Sequence, residues 1–475
     1  ISGFIRDYPS DLIIIFFLFI FLLNILYFKY YKMTSRIVEI RPDNVPADGV
    51  VSFKNGFPVL SFTISAQEGM LDPSSIRIVG NFNVYSDNNA TPTPAQAGDN
   101  LTMNNRLGIY NIFDQLTIRA HRSKMICEQI RHYAKWFNTY SALTSSLNDQ
   151  IGHMGVSTLQ MPSADAFRQS VIENNASGTQ AVSFSAHLPC GFCQSGSMVD
   201  LRPDAFGGVQ VEIMLMPDAN ALFFETGTIP AGKSEAHYRL SNLKLCCEVK
   251  DLPADMSKAQ SSGTFEFNTI TSLYTSINST NAQIQYSLAL RNLQSSFMTF
   301  MPVANINTLQ ADGSATTFPS NASVSASGGQ IANIKRVQFL KGGTKHPAEF
   351  DFNNVILDDS RTQLPDPQII KGLYDAIVPA FNQTRSTISP MNTNRDYLLG
   401  TLKEPTSYSR IPDGGAVMGL GVKYGIGDAG EDFSQEQFGV SIESELDTDN
   451  PIGVYLFFKS KASLIYNQSG VQLVQ

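Results

Sequence analysis

Apolar and polar residues alternate in short bursts along most of this chain, and that pattern limits its fold more than any other feature. A period of two puts the apolar side chains of a stretch on one face of a strand. Ser75–Tyr85 (SIRIVGNFNVY) alternates on both sides of Gly80, which marks a bend or bulge. Val50–Ser65 reads as two short strands around an Asn55-Gly56 turn, a strong hairpin dipeptide. Gly108–Arg119 reads as another strand. More strands are expected at Ala181–Leu188, Val209–Met216, Tyr238–Val249, Ile284–Leu290, Ile334–Leu340, Gly439–Glu445 and Val454–Ile465. Many short strands without regular strand–helix alternation predict an all-β protein built of sandwiches or barrels.

One segment has a different period. In Ser123–Tyr140 the apolar residues Ile126, Ile130, Tyr133, Ala134 and Phe137 fall on a helical stripe, with Lys124, Glu128, Arg131 and Lys135 largely off it. This predicts a helix inserted in a β domain, with Ser123 as its N-cap.

A faint internal repeat accompanies the strands. Phe206-Gly-Gly-Val-Gln-Val-Glu212 resembles Phe438-Gly-Val-Ser-Ile-Glu443. Each is followed by an Asp-rich turn ending in Asn220 or Asn450 and then by an apolar strand. The Pro-, Ser- and Ala-rich stretch Lys250–Gly263 is the natural divide, leaving two β units of similar size.

Composition narrows the function. Of 475 residues, 43% are hydrophobic, enough for a large core, while only 16% are charged against about a quarter in typical soluble domains. A net charge of −8 argues against a protein that grips nucleic-acid phosphates over a wide surface. Five cysteines are too few for a disulfide scaffold. The apolar run at 11–28 is long enough to span a bilayer. However, 25 of the first 32 residues are Phe, Ile, Leu, Tyr, Lys or Asn, all encoded by AT-rich codons, and the first methionine is Met33. Residues 1–32 are therefore expected to be an untranslated leader, with a hydrophobic anchor as the alternative.

Few motifs suggest chemistry. Gly227-Thr-Ile-Pro-Ala-Gly-Lys233-Ser234 matches the phosphate-loop pattern G-x-x-x-x-G-K-S, in which Lys233 would reach phosphates and Ser234 would hold magnesium. Such a loop needs a parallel-sheet strand before it and a helix after it. The alternation from Tyr238 to Val249 instead predicts a strand, so an ordinary loop is expected. Cys190-Gly-Phe-Cys193 is a lone C-x-x-C; His187 and the adjacent Cys246-Cys247 give no recognised zinc spacing. Arg119, Arg122, Lys124, Arg131 and Lys135 form a basic cluster whose default reading is a solvated helix face. Asp428–Asp449 carries eight acids without the spacing of an EF-hand loop. No catalytic, cofactor-binding or metal-ligating residues are assigned.

The order of several phrases resembles the double jelly-roll major capsid proteins of polinton-like viruses, virophages and related eukaryotic DNA viruses. Gly49–Ile64 followed by Leu71–Gly80 is similar to that family's opening strand pair, and Asn105–Ile118 with Glu128–Tyr133 to its strand-to-helix passage. Leu293–Pro302 resembles the entry to its second jelly roll, and Phe438–Glu445 with Asn450–Phe458 its closing strands. The resemblance implies jelly rolls at 33–250 and 264–475 joined by a 251–263 linker. It further implies a homotrimeric, pseudo-hexameric capsomer in the icosahedral shell of a double-stranded DNA virion, assembled inside the host cell. The partners it implies are other copies of the chain and minor or penton capsid proteins, with no specific nucleic-acid contact, no membrane, no cofactor and no enzymatic activity. A minor or vertex capsid protein, and more remotely a phosphate-loop NTPase using Gly227–Ser234, are the alternatives.

Overall fold

Antiparallel strands account for nearly all regular structure in the computed structural model. It describes residues 35–144 apart from positions 47, 54, 55, 57, 88, 90, 100 and 104–106, then 153–161, 170–171, 182–224, 231–252, 262–303, 334–351, 379–380, 419–426, 429–444 and 451–475. Residues 1–32, expected to be an untranslated leader, lie outside the described residues. Among those residues no helix is long and apolar enough to cross a membrane.

The first half of the chain builds two principal sheets. One orders β1 (Ser35–Ile40), β12 (His237–Lys250), β4 (Met70–Tyr85) and β8 (Val182–His187), with β2 (Val50–Val51) added to β12 and β9 (Val199–Asp200) to β4. The other orders β3 (Val59–Ser65), β10 (Gly208–Leu215), β6 (Phe113–Ala120) and β7 (Ile126–Arg131). A small ribbon pairs β5 (Leu101–Met103) with β11 (Leu222–Phe224).

The second half repeats the plan. One sheet orders β13 (Gly263–Ile277), β20 (Ile452–Asn467), β15 (Leu293–Pro302) and β18 (Gly419–Lys423), with β21 (Gly470–Val474) on β20. Its companion orders β14 (Asn281–Tyr286), β19 (Phe438–Ser444), β16 (Ile334–Lys341) and β17 (Thr344–Asp351). Numbering the eight principal strands of each half in chain order gives the same two sheets both times, 1-8-3-6 and 2-7-4-5. That order is a jelly roll, so the chain is a double jelly roll.

Alternation explains the cores. In β3 the residues Leu60, Phe62 and Ile64 are fully buried and the residues between them face outward. The bend expected at Gly80 is a bulge in the partner strand: the register slips between Ser241 and Lys244 of β12, opposite Gly80. A β-carbon at Gly80 would stand 2.8 Å from the Leu243 side chain, so the bulge packs into the space that glycine leaves.

Three local expectations are corrected. Val50–Ser65 is no hairpin: β2 joins β12, while β3 joins β10 in the opposite sheet, because the two short runs bury their apolar residues in different layers. The helix expected from Ser123 begins at Tyr133 (α1, Tyr133–Thr144). Ile126–Arg131 instead completes a sheet beside β6, putting Ile130 in the core, and His132 turns the chain with a positive φ of 55°. Leu293–Pro302 is the third strand of the second roll, not its entry, which is β13. The 15-residue β13 escapes alternation-based reading because its Thr- and Ser-rich sequence is buried unevenly.

Both members of the first repeat pair sit on seventh strands, β10 and β19. The strand after Asn220, however, is β11 in the small ribbon, whereas the segment after 450 is the eighth strand β20.

Leu456 is fully buried in β20 between Leu273 of β13 and Met298 of β15. Leu456→Pro removes a ladder donor in mid-sheet and is expected to destabilise the chain by at least about 3 kcal/mol. Urea denaturation checks this, and a variant as stable as the wild type would contradict the register.

Candidate functional site

The feature that holds the two rolls in one fixed relation is a seam between two edge strands. β7 ends the order β3-β10-β6-β7 and β13 ends the order β13-β20-β15-β18, so each has one unpaired side. Side chains and turns from the first roll meet β13 residue by residue. The ring of Phe192 packs on Phe265 and Phe267, with centroids 4.9 and 5.9 Å away, and Phe206 packs on Phe265 and Tyr466. Further along, Ser272 Oγ accepts from the Arg131 amide at 2.8 Å. At the far end His132 lies against Tyr274 and Tyr455. Arg122 adds a polar clasp, donating to the Pro203 and Gln468 carbonyls at 2.9 and 2.8 Å. Apolar residues of both rolls belong to one continuous core.

Glu128 is the centre of the seam. It projects from β7 and is buried, 3% exposed. Its Oε1 accepts from the amides of Ile270 at 2.7 Å and Gly191 at 3.2 Å; its Oε2 accepts from Phe192 at 2.7 Å. A side chain of the first roll thus satisfies the Ile270 amide on the open edge of β13 and two amides of the turn that carries Phe192. That turn is held from behind by Tyr133 of α1, whose hydroxyl donates to the Pro189 carbonyl at 2.8 Å. Gly191 is required by close approach: any β-carbon there would overlap the Asn268 carbonyl oxygen. Burial pushes the Glu128 carboxyl above the usual carboxylate range, opposed by the three amides and by the Cys190 thiol.

Beyond Glu128 the seam holds a second polar group. The Lys135 ammonium of α1 sits 4.4 Å above the Tyr455 ring, and His132 Nδ1 lies 3.9 Å from Asp114 Oδ1. A cavity of about 580 Å³ opens beside the Gly191 turn and β13, lined from both rolls by residues including Trp136, Tyr140, Phe267, Phe457 and Lys461.

The sequence candidates resolve as follows. Of the phosphate-loop match, residues 227–230 lie outside the described residues. Lys233 forms an ion pair with Asp99 at 3.4 Å and donates to Ser86 Oγ at 2.9 Å. Antiparallel β11 precedes the motif and antiparallel β12 follows it, so the strand–loop–helix frame of a nucleotide site is absent and the NTPase alternative is overturned. Cys190 and Cys193 are buried free thiols, and the residues between them supply the amides that Glu128 binds. Among the described residues no three His, Cys, Asp or Glu side chains gather as a metal site. The basic cluster is no solvated helix face: Arg119 pairs with Glu212 at 3.0 Å, Arg122 clasps the two rolls and Lys135 is buried. In the acidic stretch, of which 428 and 445–449 lie outside the described residues, Glu431 is held by His346 at 2.7 Å and Lys341 at 3.4 Å. Sequence reasoning missed Glu128, whose only signal was a carboxylate in a stretch with both helical and strand periodicity.

The fold has counterparts among solved structures. It is similar to the Faustovirus major capsid protein (8% identity, 92% of this chain and 91% of that chain covered, TM-score 0.55). A chain of the Sputnik virophage, solved by cryo-EM, gives 10% identity, 93% and 89% coverage and a TM-score of 0.53. A chain of the PBCV-1 virus capsid gives 12% identity, 93% and 97% coverage and a TM-score of 0.52. No protein-family model and no curated protein matches the sequence. At these identities the likeness is one of fold.

Removing Glu128 leaves three buried N–H groups without their acceptor, at about 1–3 kcal/mol each. Glu128→Ala is therefore expected to cost at least about 3 kcal/mol. Glu128→Gln keeps Oε1 and sets only one amide against a donor, so it should cost about 1–3 kcal/mol. Denaturation midpoints check the ranking, and two equally mild variants would contradict it.

Proposed function

We propose that this chain is the major capsid protein of an icosahedral double-stranded DNA virus, acting as a structural protein and not as an enzyme. The observation that carries the reading is the duplicated 1-8-3-6 and 2-7-4-5 strand order, with the two rolls joined along one seam. A subunit with two equivalent barrels side by side presents two of six similar sectors, so three subunits close a pseudo-hexagonal tile. The Faustovirus protein of similar fold is by its name a major capsid protein.

The domain limits that fit this reading are 33–250 and 264–475, with 251–263 as the connection. A chain in which only 16% of residues are charged suits extensive subunit contacts, because each ion buried without a partner would be costly. The reading places the chain in the virion shell, assembled in the host cell, with other copies as its first partner and minor or penton proteins at the vertices. Contact with the genome would not depend on specific nucleic-acid recognition, consistent with a net charge of −8.

Light scattering of the purified chain tests the proposal. The expected solution mass is three times the 52.1 kDa of the chain, independent of added nucleotide. A stable monomer across micromolar concentrations would overturn it.

A further inference from the structure

The turn that docks on β13 carries two thiols as well as the two amides that Glu128 takes. Cys190 and Cys193 stand on either side of Gly191 and Phe192. The Gln194 amide donates to the Cys190 carbonyl at 3.0 Å, so residues 190–194 close one helical turn. Residues three apart on such a turn have α-carbons about 5 Å apart, inside the roughly 4.4–6.8 Å that a disulfide spans. The sulfurs meet: the Cys193 amide donates to Cys190 Sγ at 3.4 Å, and the two thiols are hydrogen-bonded to each other. Cys190 is fully buried and its thiol also bonds the Glu128 carboxylate, whereas Cys193 is 5% exposed. The cavity between the rolls reaches this turn at Gly191, Gln194 and Ser195, beside both cysteines. Cys127 on β7 and the adjacent Cys246 and Cys247 on β12 are buried free thiols elsewhere in the first roll.

We propose that Cys190 and Cys193 form an oxidation site, at which a small peroxide joins the two sulfurs in a disulfide and staples the turn that docks on the second roll. The site rests on the geometry of the seam and not on the capsid reading. On that reading it would stay reduced while the chain assembles in the host cell and be open to oxidation once the particle leaves.

Exposure sets the order of events. Cys193, the less buried of the two, loses its proton to water and attacks a peroxide oxygen. The O–O bond breaks, the hydroxide released takes up a proton to become water, and Cys193 is left as a sulfenic acid. The Cys190 sulfur then attacks Cys193 Sγ; the S–S bond forms, the S–O bond breaks and hydroxide departs. The Cys190 proton reaches that hydroxide by way of Glu128, to which the thiol is bonded, and makes a second water. Two thiols thus lose two electrons and two protons, and hydrogen peroxide gains them as two waters. Burial, with Cys193 and Glu128 adding to it, raises the Cys190 thiol well above the usual thiol range, which keeps it from reacting first. The finished disulfide takes one donor from Glu128 and leaves the three amides, so the docking contacts persist.

Peptide mapping of the purified full chain tests the site without any variant. The reduced protein is treated with hydrogen peroxide, unfolded in iodoacetamide and mapped by mass spectrometry. Cys190 and Cys193 should lose alkylation together, in a peptide lighter by two hydrogens, and recover it after dithiothreitol, while Cys127, Cys246 and Cys247 remain alkylated. In Cys190→Ser the sulfenic acid on Cys193 should persist and be captured by dimedone. Hydrogen exchange at the amides of Phe192 and Ile270 should be as slow in the oxidised chain as in the reduced one, or slower. Continued alkylation of both cysteines in the treated wild type would overturn the proposal, as would oxidation spread evenly over all five. A disulfide that speeds exchange at those two amides would overturn the staple, and absence of the dimedone adduct would overturn the order of events.

Discussion

Three backbone N–H groups from two different jelly rolls end on one buried carboxylate, and the relation between the rolls depends on that convergence. An edge strand carries unpaired donors and acceptors that water or another strand must satisfy. Here Glu128 of β7 takes the Ile270 amide on the edge of β13, and the same carboxylate fixes the turn at Gly191 and Phe192. The contacts of the Phe192 ring with Phe265 and Phe267 of β13 follow from the position of that turn. An apolar seam alone would hold the rolls together yet let them slide; directional bonds to named amides set the register between them.

That constraint links fold to function. On the capsid reading proposed above, a shell tile would have to present both of its barrels at a constant angle, since an error in one subunit would be repeated in every copy around a closed surface. A single core running through both rolls, with a polar node at its centre, makes the pair behave as one body.

The all-β class was plain in the sequence because strands such as β3 and β10 bury every second residue. The duplication showed faintly at the seventh strands, where both rolls kept similar local phrasing, and the ribbon strand β11 interrupted the correspondence after Asn220. Partner choice was hidden: β2 and β3 are neighbours in sequence but lie in opposite sheets, which no local pattern records. Cys190-Gly-Phe-Cys193 drew attention for its thiols, while its importance for docking lies in the two amides and the missing β-carbon between them. A buried acid such as Glu128 looks like any surface glutamate until the amides of a distant strand are brought to it.

Single-particle cryo-EM of the purified chain tests the central claim most directly. The expected result is a three-fold particle of six jelly rolls with a pseudo-hexagonal outline, the two rolls of each subunit joined through Glu128 to the amides of Gly191, Phe192 and Ile270. Rolls that take variable positions within a subunit, or a particle that assembles only around a nucleotide at Lys233, would contradict it.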